Sequence, residues 1–162
     1  MTLYVWAAMR FTVFVEEAHE DSSDLLFLPE ATAADWATVF SYAEVRTVEK
    51  GLAVVQAGER DRALYLLTEG TVGVRLPKDE GPFKTIDAPS VVGELAFFDG
   101  RPRSATLDAV TDVEVVRLDQ AGFERLAAAA PELAHAMLRD LARILALRLR
   151  IASEVIANLR SA

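Results

Sequence analysis

Residues 91–109 read Val-Val-Gly-Glu-Leu-Ala-Phe-Phe-Asp-Gly-Arg-Pro-Arg-Ser-Ala-Thr-Leu-Asp-Ala. This stretch places a carboxylate, Glu94, directly after Gly93, and a guanidinium, Arg103, at the start of a run that is typical of a β-strand. A carboxylate accepts a hydrogen bond from a hydroxyl group, and a guanidinium binds phosphate oxygens with a planar fork of donors. Gly93 lets the backbone approach a ligand closely, and the N–H groups of the following turn can face an anion. The pattern predicts a site for a small ligand that carries both a hydroxyl and a phosphate.

The same stretch resembles the phosphate-binding cassette of the cyclic nucleotide-binding domain family, which includes the catabolite activator protein and the regulatory subunits of cAMP-dependent protein kinase. The family pattern is Gly-Glu-Leu-Ala, a variable turn, and an arginine that proline often precedes and a small residue follows. The residues that match it are Gly93, Glu94, Leu95, Ala96, Pro102, Arg103, Ser104, Ala105 and Thr106. The alternative is a surface turn in which a glutamate and an arginine fall at this spacing by chance.

The resemblance implies a role for each polar group of the cassette. Glu94 is expected to accept a hydrogen bond from the ribose 2′-hydroxyl, and Arg103 is expected to bind the cyclic phosphate. Backbone N–H groups would complete the phosphate site, and Val92 would form an apolar wall. The implied site consists of Val92, Gly93, Glu94, Leu95, Ala96, Arg103, Ser104 and Ala105. The expected ligand is cAMP; cGMP is the alternative, because the Ser104 hydroxyl can accept from the guanine amino group.

The pattern of short apolar runs predicts a mainly β fold with flanking α-helices. Thr32 and Asp35 resemble a capping box that opens a helix with Trp36, Val39 and Phe40 on one face. Short strands separated by glycine turns indicate a sandwich or barrel, and the resemblance implies an eight-stranded β jelly roll. If the strand pattern is considered without residues 91–109, a jelly roll of another family is the alternative. The predicted strands are 43–48, 52–56, 63–67, 71–76, 83–86, 105–110 and 113–118.

The chain divides into an N-terminal segment, residues 1–24, and a cyclic nucleotide-binding domain, residues 25–162. Residues 1–15 are apolar apart from Arg10 and two threonines, and residues 16–24 form an acidic linker. The apolar run lacks the basic start and the cleavage site of a signal peptide, and it is too short for a membrane-spanning helix. We expect it to pack on the domain or on a partner chain, and we expect a cytoplasmic protein.

Composition excludes several classes of function. The 162 residues carry a net charge of −8, which argues against non-specific binding to nucleic acid or to an anionic membrane. The absence of cysteine excludes disulfides and thiolate metal sites, and two histidines are too few for a histidine-rich metal site. The sequence shows no paired nucleophile and base. We therefore expect neither a metal cofactor nor an enzyme.

A long helix is predicted at the C-terminus, over residues 132–159. Asp119 is predicted to cap a short preceding helix, and Pro131 suits the first position of the long one. An apolar stripe recurs along it at steps of three and four: Leu138, Leu141, Leu145, Leu149, Ala152, Ile156 and Leu159. Further apolar residues widen this stripe beyond what one barrel surface would cover. The helix therefore either lies flat on its own barrel or pairs with a second copy, and we predict a homodimer.

This helix is also similar to the helix that closes over the base in the catabolite activator protein. The resemblance implies a lid formed by Leu149, Ile151, Ala152 and Ser153, if one extra helical turn is allowed upstream. An alignment without that gap places Arg148 and Leu149 over the base instead.

We expect a stand-alone regulatory sensor, or a fragment of a longer protein, because no winged helix-turn-helix or catalytic segment is seen after the helix. Its helix would close over the nucleotide and signal to an unknown effector protein or to a second copy. The alternative is a barrel of the same fold that serves dimerisation or docking and binds nucleotide weakly or not at all.

Overall fold

The computed structural model describes residues 27–82 and 84–161. The helices are α1, Ala33–Ser41; α2, Glu94–Asp99; α3, Gln120–Ala129; and α4, Pro131–Ser161. The strands are β1, Glu44–Val48; β2, Ala53–Val55; β3, Ala63–Glu69; β4, Thr71–Arg75; β5, Lys84–Asp87; β6, Ser90–Val92; β7, Thr106–Ala109; and β8, Val113–Asp119. The expectations for residues 1–24 and for Phe83 lie outside the described residues.

The strands form two antiparallel four-stranded sheets. One sheet has the order β1-β8-β3-β6, and the other has the order β2-β7-β4-β5. Neighbouring strands in the sheets are mostly distant in sequence, as expected when a long antiparallel ribbon folds over itself. The predicted jelly roll with flanking helices is confirmed.

Strand β3 holds the two halves of the core together. Its residues from Ala63 to Thr68 are all buried, because successive side chains of a strand point to opposite faces and both faces are covered. Leu64 and Leu66 pack under the helices, and Tyr65 and Leu67 pack between the sheets. The apolar run of this strand is continuous for that reason.

Two predicted helix starts are confirmed by their caps. The Thr32 hydroxyl accepts a hydrogen bond from the Asp35 N–H at 3.2 Å, and the Asp35 carboxylate accepts one from the Thr32 N–H at 2.8 Å. Asp119 caps α3 by accepting from the Gly122 N–H at 2.8 Å. Pro131 is the first residue of α4, where its missing N–H costs no intrahelical bond.

Two elements differ from the sequence expectation. Ser90–Val92 forms β6, which pairs with β3 so that Val92 lies opposite Tyr65; a strand of three residues is too short to show an alternating pattern. The stretch after Gly93, predicted as a turn, is the six-residue helix α2. Gly93 and Gly100 flank α2 in the left-handed conformation and set both of its ends.

Helix α4 packs its apolar side chains on the barrel along its first half. Met137, Leu141 and Ile144 are fully buried against the first sheet and the other helices. Ile144 is the last fully buried side chain among those described in the helix. Leu149 and Ile156, both in the second half of α4, are 69% and 58% exposed.

Candidate functional site

A cavity of about 240 Å³ opens between the second sheet, α2 and α4. Apolar side chains form most of its wall, together with a few charged groups, which is the usual composition of a small-molecule site. All eight site residues predicted from the sequence line this cavity: Val92, Gly93, Glu94, Leu95, Ala96, Arg103, Ser104 and Ala105. The other lining residues are Val55, Val74, Leu76, Lys84, Ile86, Leu107 and Arg148.

Gly93 allows the guanidinium of Arg103 to lie against the backbone. Its φ of +85° is in the left-handed region, which favours glycine. A Cβ atom at this position would lie 2.6 Å from Nη1 of Arg103 and 3.0 Å from the carbonyl oxygen of Ala63. The glycine of the cassette is therefore required by the position of its arginine.

Arg103 is buried, with only 6% of its surface exposed. Nη1 donates to the Gly93 carbonyl at 3.0 Å, and Nη2 donates to the Ala63 carbonyl at 2.8 Å and to Asp61 Oδ2 at 3.2 Å. Its guanidinium carbon also lies 5.3 Å from the centre of the Tyr65 ring. Within the described part of the chain, Nε is a buried donor without an acceptor. A buried donor at a cavity wall suits an anionic ligand, because leaving such a group unsatisfied is costly.

The main chain around Arg103 is fixed by the turn after β2. The Arg103 N–H donates to the carbonyl of Glu59, and the Arg103 carbonyl accepts from the N–H of Gly58, both at 2.8 Å. These two main-chain bonds fix the backbone of Arg103, and the side-chain bonds described above fix its guanidinium.

Asp61 links the cassette arginine to the first sheet. Its carboxylate accepts from Arg103 at 3.2 Å, from Arg117 at 2.6 Å and from the Tyr65 hydroxyl at 2.6 Å. Burial raises the pKa of Asp61, but the hydrogen bonds from Arg117, Tyr65 and Arg103 outweigh burial and hold that pKa below its ordinary value. Asp61 therefore stays ionised and orients Arg103.

Glu94 is buried at the N-terminus of α2, with 6% of its surface exposed. Nη1 of Arg148, from α4, forms an ion pair with Oε1 of Glu94. Nη2 of the same side chain donates to the Val91 carbonyl at 2.9 Å. The long helix is thus tied directly to the carboxylate that is expected to bind a ribose hydroxyl.

The apolar wall comes from the second sheet. Val74 and Ile86 lie on adjacent strands, and Val55 and Leu107 extend the same surface. Lys84 also lines the cavity, opposite Val74 in the register of β5 and β4. The flat face of an aromatic ring system can pack on this wall.

The comparisons with known proteins agree with this geometry. Residues 45–130, just over half of the chain, match the sequence profile of the cyclic nucleotide-binding domain. The chain belongs to the cyclic nucleotide-binding domain family. This is a family of regulatory nucleotide-binding folds rather than of catalytic ones.

The curated relatives of this cyclic nucleotide-binding domain are longer proteins. A cAMP-dependent protein kinase regulatory subunit of Aspergillus fumigatus is 40% identical over 76 residues, which are 47% of this chain and 18% of that subunit. A CRP-like cAMP-activated global transcriptional regulator of Mycobacterium tuberculosis is 34% identical over 113 residues, which are 68% of this chain and 49% of the regulator. The chain thus spans about a fifth of the first relative and about half of the second.

A solved cyclic nucleotide-binding domain from Methylobacillus flagellatus has the same fold. It superposes with a TM-score of 0.77 at 20% identity, covering 95% of this chain and 84% of that one. At this identity the likeness concerns the fold alone.

Of the residues named as a lid, Leu149, Ala152 and Ser153 do not line the cavity. Leu149 and Ser153 border a separate shallow depression with Ala146 and Arg150, and the Ser153 hydroxyl donates to the Leu149 carbonyl at 2.9 Å. Ala152 is exposed, and the side chain of Ile151 lies outside the described residues. Among the side chains of α4 that the structure describes, Arg148 is the one that lines the cavity, as in the alignment without a gap. The lid therefore stays a prediction.

Sequence reasoning missed Asp61 and Lys84, which lie far from the cassette in sequence. Asp61 lies in a turn with several other charged residues, so its sequence neighbours do not distinguish it as a partner of Arg103. Lys84 likewise follows a loop that is rich in charged residues. In the described part of the chain, no group of three or more candidate metal ligands is found, and no helix is long and apolar enough to cross a membrane.

Proposed function

We propose that this chain binds a cyclic purine nucleotide, cAMP, in the cavity beside Arg103. The observation that carries the proposal is the buried Arg103, whose Nε lacks an acceptor among the described residues, in one cavity with the carboxylate of Glu94. A cyclic phosphate supplies the acceptor for Arg103, and a ribose hydroxyl supplies a donor for Glu94. The choice of cAMP rests on the relatives, whose names refer to cAMP.

The site divides the ligand into three parts. Arg103 binds the phosphate, and Asp61 keeps that guanidinium in place. Glu94 binds the 2′-hydroxyl of the ribose. The base packs on the apolar wall of the second sheet, where burial of its faces is favourable.

Arg148 gives the proposed switch a physical basis. A ligand moves a helix only if it binds the two positions of that helix with different affinity. The ribose hydroxyl and Arg148 compete for the same carboxylate, Glu94, so nucleotide binding releases the guanidinium that ties α4 to the cassette. The released half of α4, beyond Ile144, then closes over the base through Ala152 and its neighbours.

The competition predicts that loss of Arg148 raises the affinity for cAMP, whereas loss of a residue that contacts the ligand would lower it. Arg148→Ala removes the competitor and should bind cAMP more tightly than wild type does. Arg150→Ala, two residues further along the exposed part of α4, is the matched control and should leave the affinity unchanged. A weaker affinity in Arg148→Ala would contradict the competition.

We also propose that the chain acts as a cytoplasmic sensor that forms a homodimer through α4. Leu149 and Ile156 are exposed and seven residues apart, the spacing at which two helices pair along one seam. Leu149→Glu should give a monomer in sedimentation experiments at concentrations where wild type is a dimer. If wild type is a monomer at every concentration tested, the proposed homodimer is wrong. An effector protein would read the position of α4, and no catalytic role is proposed.

Isothermal titration calorimetry of the purified chain tests the proposed function. Wild type should bind cAMP more tightly than 2′-deoxy-cAMP, because only the former offers a hydroxyl to Glu94. In Glu94→Gln the gap between the two ligands should shrink. Equal discrimination by both proteins would show that Glu94 does not bind the hydroxyl, and the absence of binding to wild type would refute the function.

A further inference from the structure

Arg62, the last residue of the loop between β2 and β3, caps the C-terminal end of α2. Its Nη2 atom donates to the carbonyl of Phe97 at 3.1 Å and to the carbonyl of Phe98 at 3.4 Å. Both carbonyls belong to the last turn of α2, where a helix has no N–H groups of its own left to offer. A cationic side chain at this end satisfies the carbonyls and interacts favourably with the negative end of the helix dipole.

Gly100 gives the side chain of Arg62 its place beside α2. The Gly100 N–H closes the helix by donating to the Ala96 carbonyl at 3.1 Å. A Cβ atom added to Gly100 would lie 3.4 Å from both Cδ and Nε of Arg62. The arginine side chain therefore packs on the end of the helix backbone at the place where its guanidinium caps the carbonyls.

The two neighbours of Arg62 hold the other charged part of the cassette. Asp61 accepts from Nη2 of Arg103 at 3.2 Å, and the Ala63 carbonyl accepts from the same atom at 2.8 Å. The Arg62 carbonyl accepts from the N–H of Gln120 at 3.0 Å, so this segment is also fixed to the start of α3. Three consecutive residues thus join the cassette arginine to helix α2.

The distance between the two charged groups of the cassette depends on the orientation of α2. Glu94 is the first residue of this helix, and Arg103 lies in the loop that follows it. A helix of six residues is about 9 Å long, so a rotation of about 10° around its C-terminal end shifts Glu94 by about 1.5 Å. Such a shift breaks a hydrogen bond to a ligand hydroxyl. In the proposed bound state Arg148 has left Glu94, so the packing of α2 and its C-terminal contacts then determine where Glu94 lies.

We propose that Arg62 is a positioning residue of the nucleotide site: by capping the C-terminal end of α2, it holds Glu94 at the distance from Arg103 that a cyclic nucleotide requires. Arg62 itself lies outside the cavity lining that the structure describes, so it acts on the ligand through α2. The inference rests on the proposed function, because it concerns the ribose contact of Glu94. Loss of Arg62 therefore weakens recognition of the 2′-hydroxyl more than it weakens binding of the rest of the nucleotide.

The test is titration calorimetry of wild type and Arg62→Met with cAMP and 2′-deoxy-cAMP. Methionine keeps an unbranched apolar stem over Gly100 and removes the donors. The ratio of the two affinities should fall by about threefold to tenfold in Arg62→Met, because the hydrogen bond to the Glu94 carboxylate is partly lost, while the affinity for 2′-deoxy-cAMP changes by less than about twofold. Arg60→Met, at an exposed position of the same loop, makes the same change of net charge and should leave both affinities unchanged.

A double-mutant cycle tests whether Arg62 acts through Glu94. In Glu94→Gln the hydroxyl contact is already weakened, so the further change Arg62→Met should alter the ratio by less than about twofold. Arg62→Lys keeps a cationic donor at the helix end and should restore most of the ratio. Amide exchange of the Gly100 N–H should be faster in Arg62→Met than in wild type, because the last turn of α2 loses its cap, and unchanged in Arg60→Met.

Three results would overturn the inference while the proposed function stands. If Arg62→Met leaves the ratio of the two affinities unchanged, Arg62 does not position Glu94. If Arg62→Met lowers the ratio equally in wild type and in Glu94→Gln, it acts by another route. If Arg62→Lys discriminates no better than Arg62→Met, the cation at the end of α2 is not the cause. A wild type that binds cAMP and 2′-deoxy-cAMP equally refutes the Glu94 contact and the inference with it, and a wild type that binds neither refutes the proposed function itself.

Discussion

Substitution of Gly93 by alanine tests the geometry that holds the cassette arginine. Gly93 has a φ of +85°, and an added Cβ would meet Nη1 of Arg103 at 2.6 Å and the Ala63 carbonyl oxygen at 3.0 Å. The guanidinium can move away but the carbonyl cannot easily do so. We therefore expect Gly93→Ala to displace Arg103 from its present position.

The expected cost has two parts. An alanine in the left-handed region costs about 1–2 kcal/mol. Displacement of the guanidinium removes its hydrogen bond to the Gly93 carbonyl, and a bond to a charged group contributes about 1.5–3 kcal/mol. The free energy of unfolding should then fall by about 2.5–5 kcal/mol in Gly93→Ala.

Gly51→Ala is the matched control, because it separates the two parts. Gly51 has a φ of +88°, but no atom lies within 4 Å of its added Cβ. Urea denaturation followed by circular dichroism should show a loss of about 1–2 kcal/mol for Gly51→Ala, with its cAMP affinity unchanged. Gly93→Ala should in addition lose at least about tenfold in affinity, equivalent to about 1.4 kcal/mol. If the two variants lose the same stability and affinity, the added Cβ does not meet the guanidinium and the reasoning is wrong.

Three further predictions concern the arginine, its aspartate and the long helix. Arg103→Ala should lose about tenfold to a hundredfold in cAMP affinity, since a charge-assisted bond contributes about 1.5–3 kcal/mol. Arg103→Lys should recover only part of that loss. Arg75→Ala is the control: its partner is Asp108 on the second sheet, and it should bind cAMP as wild type does. Because the pKa of Asp61 is held below its ordinary value of 3.8, its contribution to stability is present above that value and is lost as the pH falls through the folded-state pKa. Urea titrations below about pH 4 should therefore show a shallower loss in Asp61→Asn than in wild type, and parallel losses would contradict this account. Amide exchange in residues 145–160 should slow on addition of cAMP more than exchange in β8. A chain ending at Ile144 should fold, fail to dimerise and bind cAMP more weakly than Arg148→Ala, which lacks the same competitor but keeps the helix. Equally tight binding by these two variants would make α4 a structural strut.

The cassette could be predicted from the sequence because its determinants are local. Gly93 and Glu94 lie at the start of α2, and Arg103 lies in the loop before β7. Because only nine positions separate Glu94 from Arg103, their spacing along the chain limits how far apart they can lie in space. The same holds for the cap of Thr32 and Asp35, whose bonds join residues three apart.

The contacts that the sequence did not reveal join distant elements. Asp61 reaches Arg103 across 42 positions, and Arg148 reaches Glu94 across 54. The second contact depends on the rotation of α4, and the wide apolar stripe of that helix is compatible with more than one rotation. Strand β6 was missed because a segment of three residues carries no periodicity.

The structure of the chain in complex with cAMP is the measurement that tests the central claim most directly. The account predicts that the cyclic phosphate accepts a hydrogen bond from Nε of Arg103, that the 2′-hydroxyl donates to Glu94, and that Arg148 has left Glu94. A nucleotide bound outside this cavity, or a nucleotide within it while Arg148 still pairs with Glu94, would contradict the account.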